Sequence, residues 1–174
     1  MAGETEIGEL LRGRLKDLPI ERVEAKEVPE PYHSLLCHTH DMTSSLARFH
    51  GGEVSLQVFG VESEGDDYLR EVLLKVGEKP VEYGVIRIFL KNFPDDLRPK
   101  IRDQVTPLGA ILNDSGLSYY SRPLGFLRIM SQDFQPDFFP LVDGKFLFGR
   151  YNELLDAGDR VLARIIEILP YESS

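Results

Sequence analysis

The sequence predicts an α+β fold in which a single antiparallel β-sheet carries flanking helices. The first observation is the stretch Tyr68–Leu90, where two runs rich in Val, Leu, Ile and Tyr flank Gly77-Glu78-Lys79-Pro80, as in a β-hairpin. The second is a similar pair of runs at the end of the chain, Phe146–Leu155 and Arg160–Leu169. Because the predicted strands are mostly connected by hairpins, we expect an antiparallel sheet with helices on one face.

The composition is typical of one globular domain. The chain has 174 residues, of which 42% are hydrophobic and 28% charged. No apolar run approaches the roughly 20 residues of a membrane span, and no secretory signal is evident. Cys37 is the single cysteine, which fits a reducing cytoplasm. Since the net charge is −9, we expect neither nucleic acid nor an anionic membrane surface as a partner.

The first 34 residues are predicted to form an N-terminal helix and an extended arm that precede the core at residues 35–170. Residues 18–31 hold three prolines and are predicted to be the arm. The helix is predicted over residues 4–16 from four apolar residues at helical spacing: Ile7, Leu10, Leu11 and Leu15.

Two further helices are indicated by capping residues. Asp41, Thr43 or Ser44 can cap a helix that ends at Gly51. Thr106-Pro107 predicts another, with Thr106 as the cap and Pro107 at the first helical position. The remaining predictions are a short helix after Asp95 or Asp96, a strand over Glu53–Val61, and a strand over Leu117–Met130 with a break at Pro123-Leu124-Gly125.

One charged side chain stands among apolar neighbours in each of two predicted strands. Strand side chains alternate, so Arg70 shares a face with Tyr68 and Val72, and Glu167 shares a face with Ile165. A buried charge is costly unless a partner or a ligand meets it. The two residues therefore predict either a ligand site, a structural Arg70–Glu167 ion pair, or two residues on a solvated face.

The segment Cys37-His38-Thr39-His40-Asp41 contains the other candidate site. Imidazole and carboxylate groups can bind Zn or Fe, but no second cluster of His or Cys completes a ligand set. We therefore predict no metal site and a loop before the helix. Cys37 follows two leucines and is predicted to be packed. The chain contains no GxxxxGK[ST], GxGxxG or GxSxG motif.

Short motifs in a fixed order give the chain a resemblance to a known family. It resembles the chorismate pyruvate-lyases, which make 4-hydroxybenzoate, and more closely their divergent branch outside the enterobacterial type. The motifs span Leu35 to Pro170: Leu35-Leu36 followed by Asp41-Met42-Thr43, Leu69-Arg70-Glu71-Val72-Leu73-Leu74, Gly84, Thr106-Pro107-Leu108-Gly109, Gly149-Arg150, and Glu167 with Leu169-Pro170.

The resemblance implies an internal, nearly closed ligand cavity and an enzyme that needs no cofactor. The implied reaction is the elimination of pyruvate from chorismate to give 4-hydroxybenzoate. Arg70 matches the arginine that holds the ring carboxylate, and Glu167 matches the acid at the hydroxyl end of the product. Both are therefore predicted to be catalytic as well as substrate-binding.

The resemblance also implies four further substrate-binding positions. Met42 and Leu108 match positions whose main chain lines the cavity, and Gly84 matches a glycine beside the covering flap. Val85 stands where the enterobacterial members have an arginine. Arg87 has the same strand parity and is the predicted substitute.

Two other classes of function stay open. The first is a non-catalytic domain that binds an aromatic or sugar acid and is related to the effector domains of transcription regulators. Such domains normally follow a winged-helix domain, for which 34 leading residues are too few. The second is a metal-dependent enzyme built on His38 and His40. The sequence makes no prediction of the oligomeric state.

Overall fold

The computed structural model describes residues 7–134 and 136–173, and its main element is a seven-stranded sheet in which all paired strands are antiparallel. The strand order is β1-β5-β6-β7-β4-β3-β2. This architecture confirms the predicted α+β fold with a single antiparallel sheet. The strands are β1 Glu21–Val23, β2 Val54–Glu64, β3 Asp67–Val76, β4 Lys79–Phe89, β5 Tyr119–Met130, β6 Phe146–Asp156 and β7 Val161–Ile168.

Four α-helices lie wholly within the described residues: α1 Tyr32–Leu36, α2 Met42–His50, α3 Leu97–Arg102 and α4 Leu108–Ser115. Short 3-10 turns cover Gly13–Leu15, Ala25–Glu27, Leu90–Asn92 and Ser131–Asp133.

Capping explains where the two longest helices begin and end. Asp41 is the cap of α2, because its carboxylate accepts a hydrogen bond from the Ser44 N–H at 2.7 Å. Gly51, with φ of 69°, ends the helix as predicted. The helix α4 begins one residue later than predicted, because Pro107 has an extended ψ of 145° and is itself the cap.

The helices pack on one face of the sheet, which we call the helix-side face, and form two apolar clusters there. One cluster joins α3 and α4 to the ends of β4, β6 and β7, and the other joins α1 and α2 to β2, β3 and the start of β6. Residues at the centre of the first are Ile86, Ile101, Leu112 and Leu154; residues at the centre of the second are Leu36, Leu46, Leu74 and Phe148.

The opposite face is covered by the N-terminal segment and by the aromatic segment after β5. The predicted helix over residues 4–16 is wrong for its described part, where helix is present only at residues 7–8 and a 3-10 turn follows at Gly13–Leu15. Gly13 has a φ of 57°, and a Cβ there would lie 1.9 Å from Glu71 Oε2, so the chain turns towards β3 instead. Residues 4–6 lie outside the described residues. The proposed division at residue 34 stays a prediction.

The strand register brings the polar side chains of the helix-side face together. Arg70 on β3 is opposite Ile86 on β4, and Val72 is opposite Gly84. Gly84 is in turn opposite Glu167 on β7. Glu167 is opposite Arg150 on β6. Since paired residues point to the same face, these residues form two adjacent rows across the sheet. In β5, the register shifts between Pro123 and Gly125, where the break was predicted.

Candidate functional site

A cavity lies on the helix-side face, where the two apolar clusters meet. Its floor is formed by β3, β4, β6 and β7, and the first turns of α2 and α4 cover it. Its volume is about 60 Å³. This is room for about four water molecules, at roughly 15 Å³ each. Five of the six predicted binding residues line it: Met42, Arg70, Gly84, Leu108 and Glu167.

Gly84 leaves the middle of the cavity floor open. It lies between Val72 and Glu167 in one row of the sheet. A Cβ at this position would lie 3.3 Å from the Ile166 carbonyl oxygen and 3.5 Å from Val72 Cγ2. Any longer side chain would project into the cavity, so glycine sets its size here.

Arg70 is buried at one end of the cavity without an acidic partner. The residue is 2% exposed. Its Nη1 donates a hydrogen bond to the Ile101 carbonyl at 3.2 Å, in the last turn of α3, while its Nε has no partner. Across the described part of the chain, no carboxylate offsets its charge. Burial lowers the pKa of the Arg70 guanidinium from its ordinary value, and the Tyr68 hydroxyl opposes this shift.

Glu167 is paired with Arg150 and not with Arg70, so the structural alternative of an Arg70–Glu167 ion pair is wrong. The Arg150 Nε donates to Glu167 Oε2 at 2.5 Å, and both side chains are almost fully buried. The Arg150 Nη1 also donates to the carbonyls of Leu36 and His38, each at 3.2 Å. Its Nη2 has no partner. The solvated-face alternative is wrong as well, because both predicted residues are buried.

Glu82 is a buried cavity residue that the sequence analysis missed. It lies two residues before Gly84 on the same face and is 4% exposed, and its Oε1 has no hydrogen-bond partner. Burial raises the pKa of Glu82 well above its ordinary value; Glu167 adds to the rise and Arg150 opposes it. The alternation of Glu82, Gly84 and Ile86 along β4 is the signal that could have found it.

Asn152 is a second lining residue that the sequence analysis missed. It is fully buried, its Nδ2 donates to Ser121 Oγ at 3.4 Å, and its Oδ1 has no partner. It lies two residues after Arg150 on the same face of β6. The cavity therefore holds unpaired donors on both arginines and unpaired acceptors on Glu82 and Asn152.

The Asp41 carboxylate lies close to the N-terminus of α4, at the cavity. Pro107, Leu108 and Gly109 line it, and no side chain caps the helix. The first N–H groups of a helix have no partner within the helix, and they carry the positive end of its dipole. Both properties favour an anionic group at this end of the cavity.

Arg87, the predicted substitute arginine, lies on the opposite face of the sheet. Its Nε and Nη2 donate to the two carboxylate oxygens of Asp67 at 2.9 and 2.6 Å, and its Nη1 contacts Glu9. This orientation follows from strand alternation, because Arg87 is an odd number of residues from Gly84. The structure thus keeps Arg87 away from the other five predicted residues.

The histidines of the loop before α2 make local contacts. The His38 Nε2 lies 2.6 Å from the Leu35 carbonyl, and its Nδ1 accepts from the His40 N–H at 3.1 Å. Within residues 7–134 and 136–173, no three His, Cys, Asp or Glu side chains are grouped so that they could hold a metal ion. Burial raises the pKa of the neighbouring Cys37 thiol. Over the same residues, no helix has both the length and the apolar character needed to span a bilayer.

Comparisons with protein-family models and with curated proteins gave no match. Among solved structures, the chain is similar to PhnF from Mycobacterium smegmatis, at a TM-score of 0.55 and 12% identity over 76% of this chain and 64% of that one. This chain therefore spans less than two thirds of the length of PhnF. The separate effector domain of PhnF matches at a TM-score of 0.52 and 12% identity, over 75% of this chain and 88% of that one. A GntR-family transcriptional regulator from Bacillus cereus matches at a TM-score of 0.46 and 15% identity, over 71% of this chain and 97% of that one.

These findings overturn the prediction of a chorismate pyruvate-lyase, including its substrate, its products and its enzyme class. A similar structure with a TM-score above 0.5 is described as an effector domain, and no family model supports the lyase motifs. The roles of Arg70 and Glu167 as site residues stay predictions. The likeness to PhnF, at 12% identity, shows the fold alone. The chain shares its sheet-and-helix fold with the effector domain of PhnF.

Proposed function

We propose that this chain is a binding domain that holds a small organic acid in the cavity and does not convert it. The observation that carries the proposal is Arg70, a buried guanidinium with an unpaired Nε and no acidic partner in the described residues. An uncompensated buried charge is among the most costly features a core can have. An acid group of a ligand would supply the missing charge and accept the free donor.

The chemistry of Arg70 favours a carboxylate or another planar or tetrahedral oxyanion. A guanidinium can donate two parallel hydrogen bonds to such a group, and it stays charged at neutral pH. The predicted binding residues Met42, Gly84, Leu108 and Glu167 are among the residues that line the cavity with it.

The uncapped N-terminus of α4 supports the same ligand charge. Leu108 and Gly109, the first two residues of the helix, belong to the cavity lining. A positive helix end and a guanidinium on one small cavity both favour an anion. The similarity to a domain described as an effector domain agrees with binding rather than turnover.

Isothermal titration calorimetry with a panel of acids tests the proposal. The panel contains benzoate, gluconate, short aliphatic carboxylates and inorganic phosphate. We expect at least one organic acid to bind, and Arg70→Met to weaken that binding by roughly 30- to 4,000-fold, the cost of removing one partner of a buried charge pair. Arg70→Lys should recover only part of the affinity, because an ammonium cannot make the two-pronged contact.

The matched control is Arg128→Met. Arg128 lies on β5, where it is paired with Glu21 outside the cavity. The substitution Arg128→Met should leave the affinity for the acid unchanged. NMR of the mixture should recover the acid intact. The proposal fails if no acid binds, if Arg70→Met binds as tightly as Arg128→Met, or if the acid is consumed.

A further inference from the structure

Glu82 is an unpaired acid in the cavity, and its position in the sheet separates it from Arg70. Glu82 lies on one side of the row formed by Gly84 and Glu167, and Arg70 lies on the other side. Arg70 is opposite Ile86, which is four residues from Glu82 along β4. At about 3.3 Å per residue, this places the two positions roughly 13 Å apart along the strands. The two long side chains therefore line different ends of one cavity.

The charges around Glu82 do not satisfy it. Its charged neighbours are Glu167 and Arg150, and these two already form an ion pair with each other. Glu82 is thus a second carboxyl group beside a single guanidinium. Its Oε1 is buried with no hydrogen-bond partner. Buried polar atoms in folded proteins almost always have a partner, so this one requires an explanation.

We propose that Glu82 is a specificity-determining residue that binds a hydrogen-bond donor at the far end of the ligand. The ligand would then be a hydroxy acid or an amino acid, with its acid group at Arg70 and its hydroxyl or amino group at Glu82. This inference rests on the proposed function, because it assumes that Arg70 receives the acid.

The two donor groups leave different signatures at Glu82. A hydroxyl group can donate to the buried acid while Glu82 keeps its proton. An ammonium group has donors only, so it favours the carboxylate form of Glu82, and the proton is released to the solvent. Binding of an amino acid should therefore release about one proton, and binding of a hydroxy acid none.

The test uses butanoate, pentanoate and hexanoate, each in three forms: unsubstituted, with a terminal hydroxyl, and with a terminal amino group. Affinities are measured by isothermal titration calorimetry for the wild type, Glu82→Gln, Glu82→Leu and the control Glu153→Gln. Proton release is obtained by repeating the titrations in buffers of different ionisation enthalpy. Glu153 is a suitable control because it is an equally buried acid of the sheet, paired with Arg122 and Arg164 outside the cavity.

We expect one donor-bearing form to bind the wild type about tenfold or more tightly than the unsubstituted acid of the same length. Glu82→Leu should abolish this preference, and Glu153→Gln should keep it. Glu82→Gln separates the two donors. It should retain a preference for a hydroxyl group, whereas it should lose a preference for an amino group together with the proton release.

Failure of the inference can be told from failure of the proposed function. If the acids bind with dependence on Arg70 but the three forms bind equally, the assignment of Glu82 alone is overturned. The same holds if the preference survives in Glu82→Leu. If no acid binds the wild type, or if Arg70→Met leaves binding unchanged, both proposals are overturned.

Discussion

The two arginines of the cavity are equally buried, but their charges are balanced in different ways. Arg150 contacts one carboxylate and two backbone carbonyls of the chain. Arg70 donates to one carbonyl, at the end of α3, and lies beside the Tyr68 hydroxyl. A charge that the fold itself neutralises contributes to folding, whereas a charge left open is available to a ligand. The contrast separates an end of the cavity that maintains the fold from an end that can bind.

Breaking the balanced end should give the largest effect on stability. In Arg150→Met, Glu167 would be left buried and unpaired beside Glu82, so we expect the free energy of unfolding to fall by about 3–5 kcal/mol. Urea denaturation measures this change. Adding Glu167→Leu should restore most of the loss, because no unpaired charge then remains.

The exposed pair Arg128–Glu21 provides the reference for this experiment. Since both side chains are partly exposed, Arg128→Met should cost no more than about 1 kcal/mol. A loss in Arg150→Met as small as this would show that the Arg150 end contributes little to the fold, and the comparison would not hold.

Glu82 gives an intermediate effect that depends on pH. Its pKa is raised in the folded chain, so folded Glu82 keeps its proton at pH values where the unfolded chain has lost it. The free energy of unfolding of the wild type should therefore fall as pH rises above about 4.5, by up to roughly 1.4 kcal/mol per pH unit, until the pH reaches the folded pKa. The glutamine of Glu82→Gln does not titrate. The free energy of unfolding of this variant, relative to that of the wild type, should therefore grow with pH.

Denaturation of both proteins from pH 5 to pH 8 checks the prediction, because titrating groups that do not interact with Glu82 cancel in the difference. Glu153→Gln, which removes an acid paired with two arginines, should show no advantage that grows with pH. A constant difference between Glu82→Gln and the wild type would mean that Glu82 titrates as an ordinary acid.

Removing the charge of Arg70, which has no acidic partner, should change stability least. Arg70→Met removes a buried charge with no acidic partner and loses one hydrogen bond, to the Ile101 carbonyl. Since such a bond contributes about 1 kcal/mol, we expect the free energy of unfolding to stay within about 1 kcal/mol of the wild type or to rise. A loss as large as that of Arg150→Met would place the balancing charge of Arg70 within the fold itself.

Strand alternation was enough to predict which sheet face carries Arg70 and Glu167, but not which residues contact them. The partner of Glu167 depends on the strand order, in which β7 lies between β4 and β6. A strand pattern gives the face of a residue, whereas its neighbours come from a topology that local periodicity does not contain. The ion pair with Arg150 therefore could not be predicted from the two strands considered alone.

For Glu82 and Arg87, strand alternation alone predicts which face of the sheet each side chain is on. Both lie on β4, and counting from Gly84 places Glu82 on the cavity face and Arg87 on the other. The resemblance to an enzyme family predicts an arginine after Gly84, and it gives no prediction for Glu82, the acid before Gly84. The prediction of the N-terminal helix was wrong for a different reason. The chain after Gly13 is held by hydrogen bonds from Arg14 to Glu71, which is distant in sequence.

The close contact between the first turns of α2 and α4 has a consequence for the rate of binding. In these first turns, a Cβ at Gly109 would lie only 2.8 Å from Thr43 Oγ1. Further along α4, the Asn113 side chain donates to Asp41 at 3.3 Å and to Ser44 at 3.2 Å. These turns cover the cavity that Arg70 lines, so we expect an acid to enter where they separate. We therefore expect association to be limited by that opening, with a rate constant that levels off as ligand concentration rises, and dissociation to be slow for the same reason.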